Sequence, residues 1–488
     1  MNPFPELRLQ VLNRAPIQYQ GDYVLYWMIA CRRMRWNFSL QRAVDWALEL
    51  SKPLVILEAL RIGYPWAGDR LHRFIIDGMA VSARRLEDAA VLYYPYVEPR
   101  ADAGKGLLKR LARHACVVVT DDFPAFFLPR MVHRAARSLP VRLETVDSNG
   151  LLPMRAADRV FPTAHGFRRF LQAHLPKYLQ AFPKPDPLEN VNLPRPADLP
   201  EGIRKTWPMA SEALLKDEPG ALSGLDIDHS VAPSDLRGGS DPAEEMLDLF
   251  IRRKLNRYAE GRNHPDEDVT SGLSPYLHFG HISAHEVFQA VMDREGWYMD
   301  LLGATPTGQK TGWWGVSPDA EAFLDQLVTW RELGFNRCVL SRDYDRYESL
   351  PDWALKTLNE HKQDHRDYVY TQEAFERAET HDPLWNAAQT QLLRQGVIHN
   401  YLRMLWGKKI LEWSPTPRRA LNIMIELNNK YALDGRDPNS YSGIFWVFGR
   451  YDRPWGPERP IFGKIRYMSS KSTAQKLRLE DYLYRFSP

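Results

Sequence analysis

The chain has 488 residues, of which 44% are hydrophobic and 26% are charged. This composition is typical of a folded globular protein with about three domains or two large ones. The 64 Lys+Arg and 61 Asp+Glu residues leave a net charge of +3, too small to indicate a nucleic-acid or membrane-binding protein from composition alone. Three widely spaced cysteines predict neither a disulfide framework nor a metal site. The chain has no long apolar run and its first residues do not resemble a signal peptide, so the sequence predicts a cytoplasmic protein.

Short apolar runs alternate with helical patterns from Tyr23 onward. The five runs are YVLYWM, PLVILEAL, AVLYYPYV, CVVVT and VRLETV. Strands alternating with helices are typical of βαβ units, so residues 1–180 are predicted to form an α/β domain with a five-stranded parallel, Rossmann-like sheet. No GxGxxG motif follows the first strand, which argues against a dinucleotide site of the usual type.

Two changes of pattern divide the rest of the chain. Residues 181–240 are rich in proline and glycine, which oppose helix and central strand, so they are predicted to be a long interdomain linker. After Asp241 the apolar residues recur with a helical period, in segments such as EAFLDQLVTWREL and VIHNYLRMLWGKKILEW. Residues 241–488 are therefore predicted to form a large all-α domain.

Ser274 and Pro275 predict the start of a helix after a loop of small polar residues. Serine is a favoured N-cap and proline a favoured first helical residue. Backbone N–H groups at such an end can hold a phosphate, but an ordinary capped helix would have the same sequence.

Helical spacing places several aromatic and polar residues on the same face of a predicted helix. Asn400, Arg403 and Trp406 lie within one broad helical face, and Trp413 follows seven residues after Trp406. With Trp385 in the first turn of the preceding helix, the tryptophans can form a file from the interior towards the surface, or they can be ordinary core residues.

A second group of residues is suited to a flat ligand. Gln326 and Trp330 are four residues apart and share a helical face, and Trp446 offers another large ring. Two indoles and an amide can clamp a flat heterocycle, although a buried glutamine bonded to the backbone is an equal alternative.

The C-terminal segment is basic and interleaved with aromatic residues. It contains Arg453, Trp455, Arg459, Lys464, Arg466, Lys471, Lys476 and Arg478. Such a run is a candidate for contact with phosphate backbone, or it is a solvated tail with ion pairs.

Taken together, these segments resemble the photolyase/cryptochrome superfamily, and specifically class II cyclobutane pyrimidine dimer photolyases. The resemblance runs through RLQVLNRAPIQYQGDYVLYWM, TSGLSPYLHFGHIS, ETHDPLWNAAQ, LDGRDPNSYSG and PIFGKIRYMS. It covers most of the chain and is weakest over the linker and residues 303–316. It implies light-driven repair of ultraviolet-damaged DNA by a monomer that binds FAD.

The resemblance also implies roles for individual residues. Tyr258 and the segment Thr270, Ser271, Gly272, Leu273 and Ser274 would hold the FAD phosphates. Asn400, Arg403, Asn428 and Asp434 would surround the flavin, with Asn428 facing N5. Trp330 and Trp446 would form the two walls of the pocket that receives the flipped dimer between them, beside Gln326. Trp406, Trp385 and Trp413, with Tyr370 as outer relay, would carry electrons, and Arg453, Trp455 and Arg466 would contact DNA.

Two positions depart from the pattern of related enzymes. Gln326 replaces the usual glutamate that bonds the dimer; its amide can donate and accept hydrogen bonds but supplies neither a carboxyl proton nor a charge. Ile444 stands where class I enzymes carry a relay tryptophan, which favours the Trp385/Trp406/Trp413 route.

Two matters remain open in the sequence. The N-terminal domain of the family often holds a deazaflavin or folate antenna, and the sequence decides neither which of these binds nor whether one does. A cryptochrome-like photoreceptor without repair activity is the alternative function. The retained tryptophans and the basic segment favour repair, whereas Gln326 favours the alternative.

Overall fold

The computed structural model describes residues 5–487. The chain forms two compact units, and each unit is assembled from three stretches of sequence. The first unit comprises the residues up to Ala156 together with Leu175–Asp248 and Gly272–Asp293. The second comprises Ala157–His174, Leu249–Ser271 and the residues from Arg294 onward. These units differ from the predicted division at residues 180 and 240, because each unit recruits segments from across those boundaries.

The first unit contains a six-stranded sheet, where the sequence predicted five strands. The strands are β1 Leu9–Val11, β2 Tyr23–Met28, β3 Leu54–Leu60, β4 Val91–Val97, β5 Ala115–Asp121 and β6 Leu143–Val146, in the spatial order β1-β6-β5-β2-β3-β4. The five predicted strands, β2 to β6, are parallel as expected. The added strand, β1, pairs antiparallel with β6, and its three residues are too few to show a period of two.

Burial explains why the predicted strands have continuous apolar sequences. All residues of β2, β5 and β6 are buried, as is usual when helices cover both faces of a parallel sheet. Asp121 at the end of β5 accepts hydrogen bonds from the backbone N–H groups of Ile29, Ala30 and Cys31 at 2.8, 2.8 and 2.9 Å. This carboxylate therefore fixes the turn that follows β2.

Helices make up most of the remaining structure. As far as residue 240 they are α1 Phe38–Glu49, α2 Asp69–Arg85, α3 Leu107–Ala112, α4 Leu128–Ala136, α5 Ala164–His174, α6 Glu201–Thr206 and α7 Glu212–Leu215. Beyond it they are α8 Ser240–Leu249, α9 Tyr258–Gly261, α10 Ser274–Phe279, α11 Ala284–Glu295, α12 Pro318–Leu324, α13 Arg331–Leu340, α14 Asp352–Glu360, α15 Gln372–Glu376, α16 Pro383–Gln395, α17 Asn400–Trp413, α18 Pro417–Tyr431, α19 Pro438–Val447, α20 Ser470–Lys476 and α21 Glu480–Phe486. None of the helices in the described part of the chain is long and apolar enough to cross a membrane.

The segment predicted to be a linker packs against the sheet of the first unit. Residues 183–200 form neither helix nor strand, as their prolines predict. The following residues bond to the sheet of the first unit: the Tyr94 hydroxyl donates to the Trp207 carbonyl at 2.5 Å, and the Ala210 N–H donates to the Pro95 carbonyl at 2.9 Å. Such contacts cannot be inferred from proline content, which describes local conformation only.

The second unit is helical, but two of its predicted helices are interrupted. The segment Phe250–Lys254 follows α8 as a π-helix, and Asp325–Trp330 forms a second π-helix between α12 and α13. A π-helix closes i→i+5 hydrogen bonds and often occurs at functional sites. The second of these segments contains both Gln326 and Trp330.

Candidate active site

Trp330 and Trp446 contact each other directly. Their ring centroids lie 4.6 Å apart and their planes are inclined by 20°. Gly334, one turn after Trp330, permits this approach, because a Cβ there would lie 2.7 Å from the carbonyl oxygen of Pro438 at the start of α19. The absence of a side chain at Gly334 thus lets α13 pack closely against the helix that carries Trp446.

This contact corrects one prediction. A base stacked between two rings needs a separation of about twice the ~3.5 Å contact distance of aromatic carbons. The rings of Trp330 and Trp446 already stack on each other. The expectation that a dimer enters between them is therefore wrong, and the two indoles form one joined aromatic wall, hereafter the indole wall.

Gln326 is half-buried in the same π-helix as Trp330. Its amide forms no hydrogen bond with another described residue. The alternative of a buried glutamine satisfied by the backbone is therefore not what the structure has. An amide left free offers both a donor and an acceptor to a ligand.

The residues predicted to surround the flavin lie on α17, on α18 and in the loop that follows α18. Arg403 donates from one guanidinium nitrogen to both Asp434 oxygens, at 2.9 and 3.2 Å. The side chains of this ion pair are 19% and 13% exposed. Asn400 is exposed at the first turn of α17.

Asn428 is buried, and the oxygen of its side-chain amide accepts no hydrogen bond from another described residue. The side chain is 2% exposed, and its Nδ2 donates to Ser440 Oγ at 2.8 Å and to Asn429 Oδ1 at 3.3 Å. Both of its side-chain hydrogen bonds are thus donated from the nitrogen. The Oδ1 atom remains available as an acceptor.

The residues predicted to hold phosphate are divided between the two units. In the second unit, the ring of Tyr258 is buried between Phe250 and Phe323, at centroid distances of 5.8 and 5.4 Å, and burial raises the pKa of its hydroxyl. Thr270 and Ser271 also belong to the second unit, whereas Gly272, Leu273 and Ser274 belong to the first. Ser274 is the first residue of α10 rather than its N-cap, a shift of one position.

The residues predicted to form the tryptophan file lie near one another. Trp385 donates from Nε1 to the backbone carbonyl of Trp406 at 3.0 Å, and its ring lies 6.1 Å from that of Trp413. The ring of Trp413 lies 5.8 Å from that of Tyr370. Trp406, Trp385 and Trp413 are only 2%, 0% and 3% exposed, whereas Tyr370 is half-buried. The file therefore leads from the interior of the second unit to its surface.

Arg453, Trp455 and Arg466 form one exposed cluster, hereafter the basic cluster. The guanidinium carbons of Arg453 and Arg466 lie 4.9 and 5.1 Å from the centre of the Trp455 ring. Asp452 accepts a hydrogen bond from Trp455 Nε1 at 3.0 Å and orients the ring. The cluster presents two cations and an indole at the surface, which suits a phosphate backbone with unpaired bases.

Comparison with known proteins identifies the family. The sequence is 34% identical to a deoxyribodipyrimidine photo-lyase of Methanothermobacter thermautotrophicus, over 98% of this chain and 97% of the relative. It is 32% identical to a deoxyribodipyrimidine photo-lyase of Arabidopsis thaliana, over 98% and 92%. The chain belongs to the photolyase family. No family model matches it.

A solved photolyase structure has the same fold. A bacterial class III photolyase from Agrobacterium tumefaciens matches with a TM-score of 0.69 at 18% identity, over 96% of this chain and 86% of that one. The sequence-based assignment to the photolyase family is thereby confirmed, as is the α/β domain followed by a helical domain.

Lys408 is a residue that the sequence analysis did not single out. It lies on α17 with its side chain buried, and its Nζ donates to the carbonyl oxygen of Val447 at 2.6 Å. Burial lowers the pKa of Lys408 to about 7, Asp452 opposes this shift and Arg466 reinforces it. Lys408 therefore bonds to the last residue of α19, which follows Trp446, and its pKa also responds to the charge of Arg466 in the basic cluster.

Gln389 and His381 were also missed. Gln389 is fully buried and accepts a hydrogen bond from Trp406 Nε1 at 2.9 Å. Its position four residues after Trp385 on one helix was a usable indication of contact with the file. His381 bonds to Tyr370 at 2.7 Å and stands in a loop, where no periodicity could indicate its contacts. Among residues 5–487, no group of side chains is suited to holding a metal ion.

Proposed function

We propose that this protein uses light to repair cyclobutane pyrimidine dimers in DNA, with reduced FAD as electron donor. The observation that carries the proposal is the indole wall of Trp330 and Trp446, with the free amide of Gln326 on the same π-helix as Trp330. A flat apolar surface beside a hydrogen-bonding group suits a flipped pair of bases. The relatives named above are deoxyribodipyrimidine photo-lyases, which supports the same function.

The polar residues of α17 and α18 fit a reduced flavin. The buried Asn428 has an unused acceptor, Oδ1, and N5 of a reduced flavin carries a hydrogen that needs one. The Arg403 guanidinium, paired with Asp434, favours negative charge in its surroundings. When bound and excited by light, reduced FAD supplies one electron to the dimer, whose two cyclobutane bonds between the bases break before the electron returns.

The protein side chains would prepare and protect this chemistry. The Oδ1 atom of Asn428 would accept a hydrogen bond from the N5–H group, and Arg403 would stabilise anionic charge on the ring. Trp406, Trp385 and Trp413 would pass electrons inward from Tyr370 to keep the cofactor reduced. The rings of Tyr370, Trp413 and Trp385 are in contact, and Trp385 is hydrogen-bonded to the backbone of Trp406. Tyr258, Thr270 and Ser271, which belong to the same unit, would hold the phosphates of the cofactor.

The lesion would lie against one side of the indole wall. Because the two rings are stacked on each other, the joined bases would cover the edge or outer face of the pair instead of entering between the rings. The Gln326 amide would donate to a thymine carbonyl or accept from N3–H. The basic cluster would contact the DNA backbone around the gap left by the extruded bases.

The direct test is repair in a defined reaction. The full-length protein, loaded with chemically reduced FAD, is illuminated with an oligonucleotide that contains one thymine dimer. We expect thymine absorbance to return in the light and to stay absent in the dark. If no thymine is restored by the reduced protein, although oxidised flavin is photoreduced in a separate reaction, the result would contradict repair and favour the cryptochrome-like function. A protein that binds no FAD would contradict the whole mechanism.

A further inference from the structure

The outer end of the tryptophan file has a tyrosine paired with a histidine. The Tyr370 hydroxyl lies 2.7 Å from Nδ1 of His381, and it also accepts the backbone N–H of His381 at 3.0 Å. The simplest pairing has the phenol donating to Nδ1, with the imidazole hydrogen on Nε2. The backbone N–H of Tyr370 donates to the carbonyl of Trp413 at 3.0 Å, which fixes the phenol beside the last indole.

The inner part of the file offers no comparable proton acceptor. Trp406 donates its indole N–H to the amide oxygen of Gln389, and Trp385 donates to the backbone carbonyl of Trp406. Neither an amide nor a carbonyl oxygen takes up a proton near neutral pH. Of the hydrogen bonds described along the file, the one at Tyr370 therefore ends on a base.

We propose that His381 accepts the phenolic proton of Tyr370 when Tyr370 gives an electron to oxidised Trp413. This inference rests on the proposed function, which supplies the oxidised tryptophan. The electron passes from Tyr370 to the Trp413 radical cation, and the proton passes to Nδ1. The products are a neutral Trp413, a tyrosyl radical and an imidazolium ion. A thiolate in solution then donates one electron, and the proton returns from His381 to restore tyrosine.

The surroundings favour movement of the positive charge outward, from Trp413 to His381, as the electron moves inward. Lys409 Nζ lies 5.3 Å from the centre of the Trp413 ring, so a positive charge left on that ring faces a nearby cation, one that is itself paired with Glu412. The His381 ring is exposed and stacks on Tyr368 at 3.6 Å. An imidazolium at this position is solvated, which lowers the cost of charging it.

The test follows the tyrosyl radical after a light pulse in the FAD-loaded protein. His381→Gln keeps a hydrogen-bond acceptor but removes the base. Since general-base catalysis is typically worth about 10²–10⁴-fold, we expect His381→Gln to slow oxidation of Tyr370 by at least about tenfold. His365→Gln is the matched control, because its side chain is 89% exposed and faces Asp367 at 3.6 Å.

Two further measurements separate proton transfer from a structural role. Added imidazole should restore the rate in His381→Ala, since the site is exposed, and the wild-type rate should fall in heavy water. An unchanged rate in His381→Gln, or a wild-type protein that reduces its flavin without forming a tyrosyl radical, would overturn the inference. Neither result would affect dimer repair by chemically reduced protein, whereas failure of that repair would refute the proposed function instead.

Discussion

Lys408 on α17 is hydrogen-bonded to Val447, the last residue of α19. Lys408 donates to the carbonyl oxygen of Val447, the residue that follows Trp446 in the chain, at 2.6 Å. The position of one half of the indole wall is therefore tied to a buried amine on α17. Because Lys408 and Trp446 both belong to the second unit, separate substitutions in that unit can test lesion binding, electron transfer and stability.

Replacing Trp446 tests the indole wall. Stacking of a base on an aromatic side chain is worth about 1–3 kcal/mol, so Trp446→Ala should weaken binding of dimer-containing DNA by about 5- to 150-fold. Fluorescence anisotropy with a labelled oligonucleotide measures the change. Tyr484→Ala removes an aromatic ring that is 88% exposed and serves as the control. Equal affinity of Trp446→Ala and wild type would exclude the wall from lesion binding.

Replacing Trp406 tests the relay. Trp406→Phe removes the innermost indole and its hydrogen bond to Gln389. We expect photoreduction of oxidised flavin to slow strongly, while chemically reduced protein still repairs dimers, because the file is needed only to supply electrons. Absorbance of the flavin under steady light is the measurement. The control is Trp313→Phe, another buried tryptophan, which packs against Trp314 at 4.7 Å. A relay that runs elsewhere would leave Trp406→Phe at the wild-type rate.

Replacing Arg466 tests the basic cluster. Arg466→Ala should weaken binding to damaged DNA and reduce the slope of log affinity against log salt by about one, because one phosphate contact is lost. Titrations at several salt concentrations give the slope. Lys205→Ala removes the same charge at an exposed ion pair with Glu201 and should leave the slope unchanged. If both variants behave alike, net charge and not the cluster governs binding.

Lys408 predicts a pH dependence of stability. Its folded pKa of about 7 lies below the usual 10.5, so between these values the unfolded chain binds a proton that the folded chain does not. The free energy of unfolding contributed by Lys408 therefore rises with pH over this range, by roughly 2 kcal/mol between about pH 7 and about pH 9. In denaturant unfolding experiments, the free energy of unfolding of the wild type should increase relative to that of Lys408→Met as the pH increases.

A surface lysine provides the comparison for this experiment. Lys464→Met removes an amine that is 51% exposed and pairs with Glu458 at 3.1 Å. Its stability difference from wild type should not change over the same pH range. A constant difference between wild type and Lys408→Met would mean that Lys408 titrates normally in the folded protein.

The sequence predicted those features that depend on local pattern. The strands from Tyr23–Met28 to Leu143–Val146 follow from buried apolar runs, and the helix Pro383–Gln395 carries Trp385 in its first turn, as predicted. The residues of the tryptophan file were chosen by spacing and resemblance, and the structure places Trp385, Trp413 and Tyr370 next to one another, while their role as an electron relay stays a prediction. By contrast, the strand Leu9–Val11 is too short for any period to be recognised.

The errors concern contacts between distant residues. The stacking of Trp330 on Trp446 depends on the close approach of two helices at Gly334, which no period in the sequence records. The π-helix Asp325–Trp330 is so short that its apolar residues have the same spacing as in an ordinary α-helix, so the sequence does not distinguish the two. The packing of the segment after Pro200 on the sheet depends on single hydrogen bonds to Pro95 and Tyr94.

The burial of Trp406, Trp385 and Trp413 has a consequence for how the two halves of the proposed function respond to solution conditions. Ions do not enter a path made of packed rings, so its electron flow should be indifferent to ionic strength, whereas contacts made by exposed guanidinium groups are screened. Salt should therefore affect DNA binding but not photoreduction of the cofactor. At high salt concentration the protein should still be photoreduced, whereas its DNA substrate should dissociate.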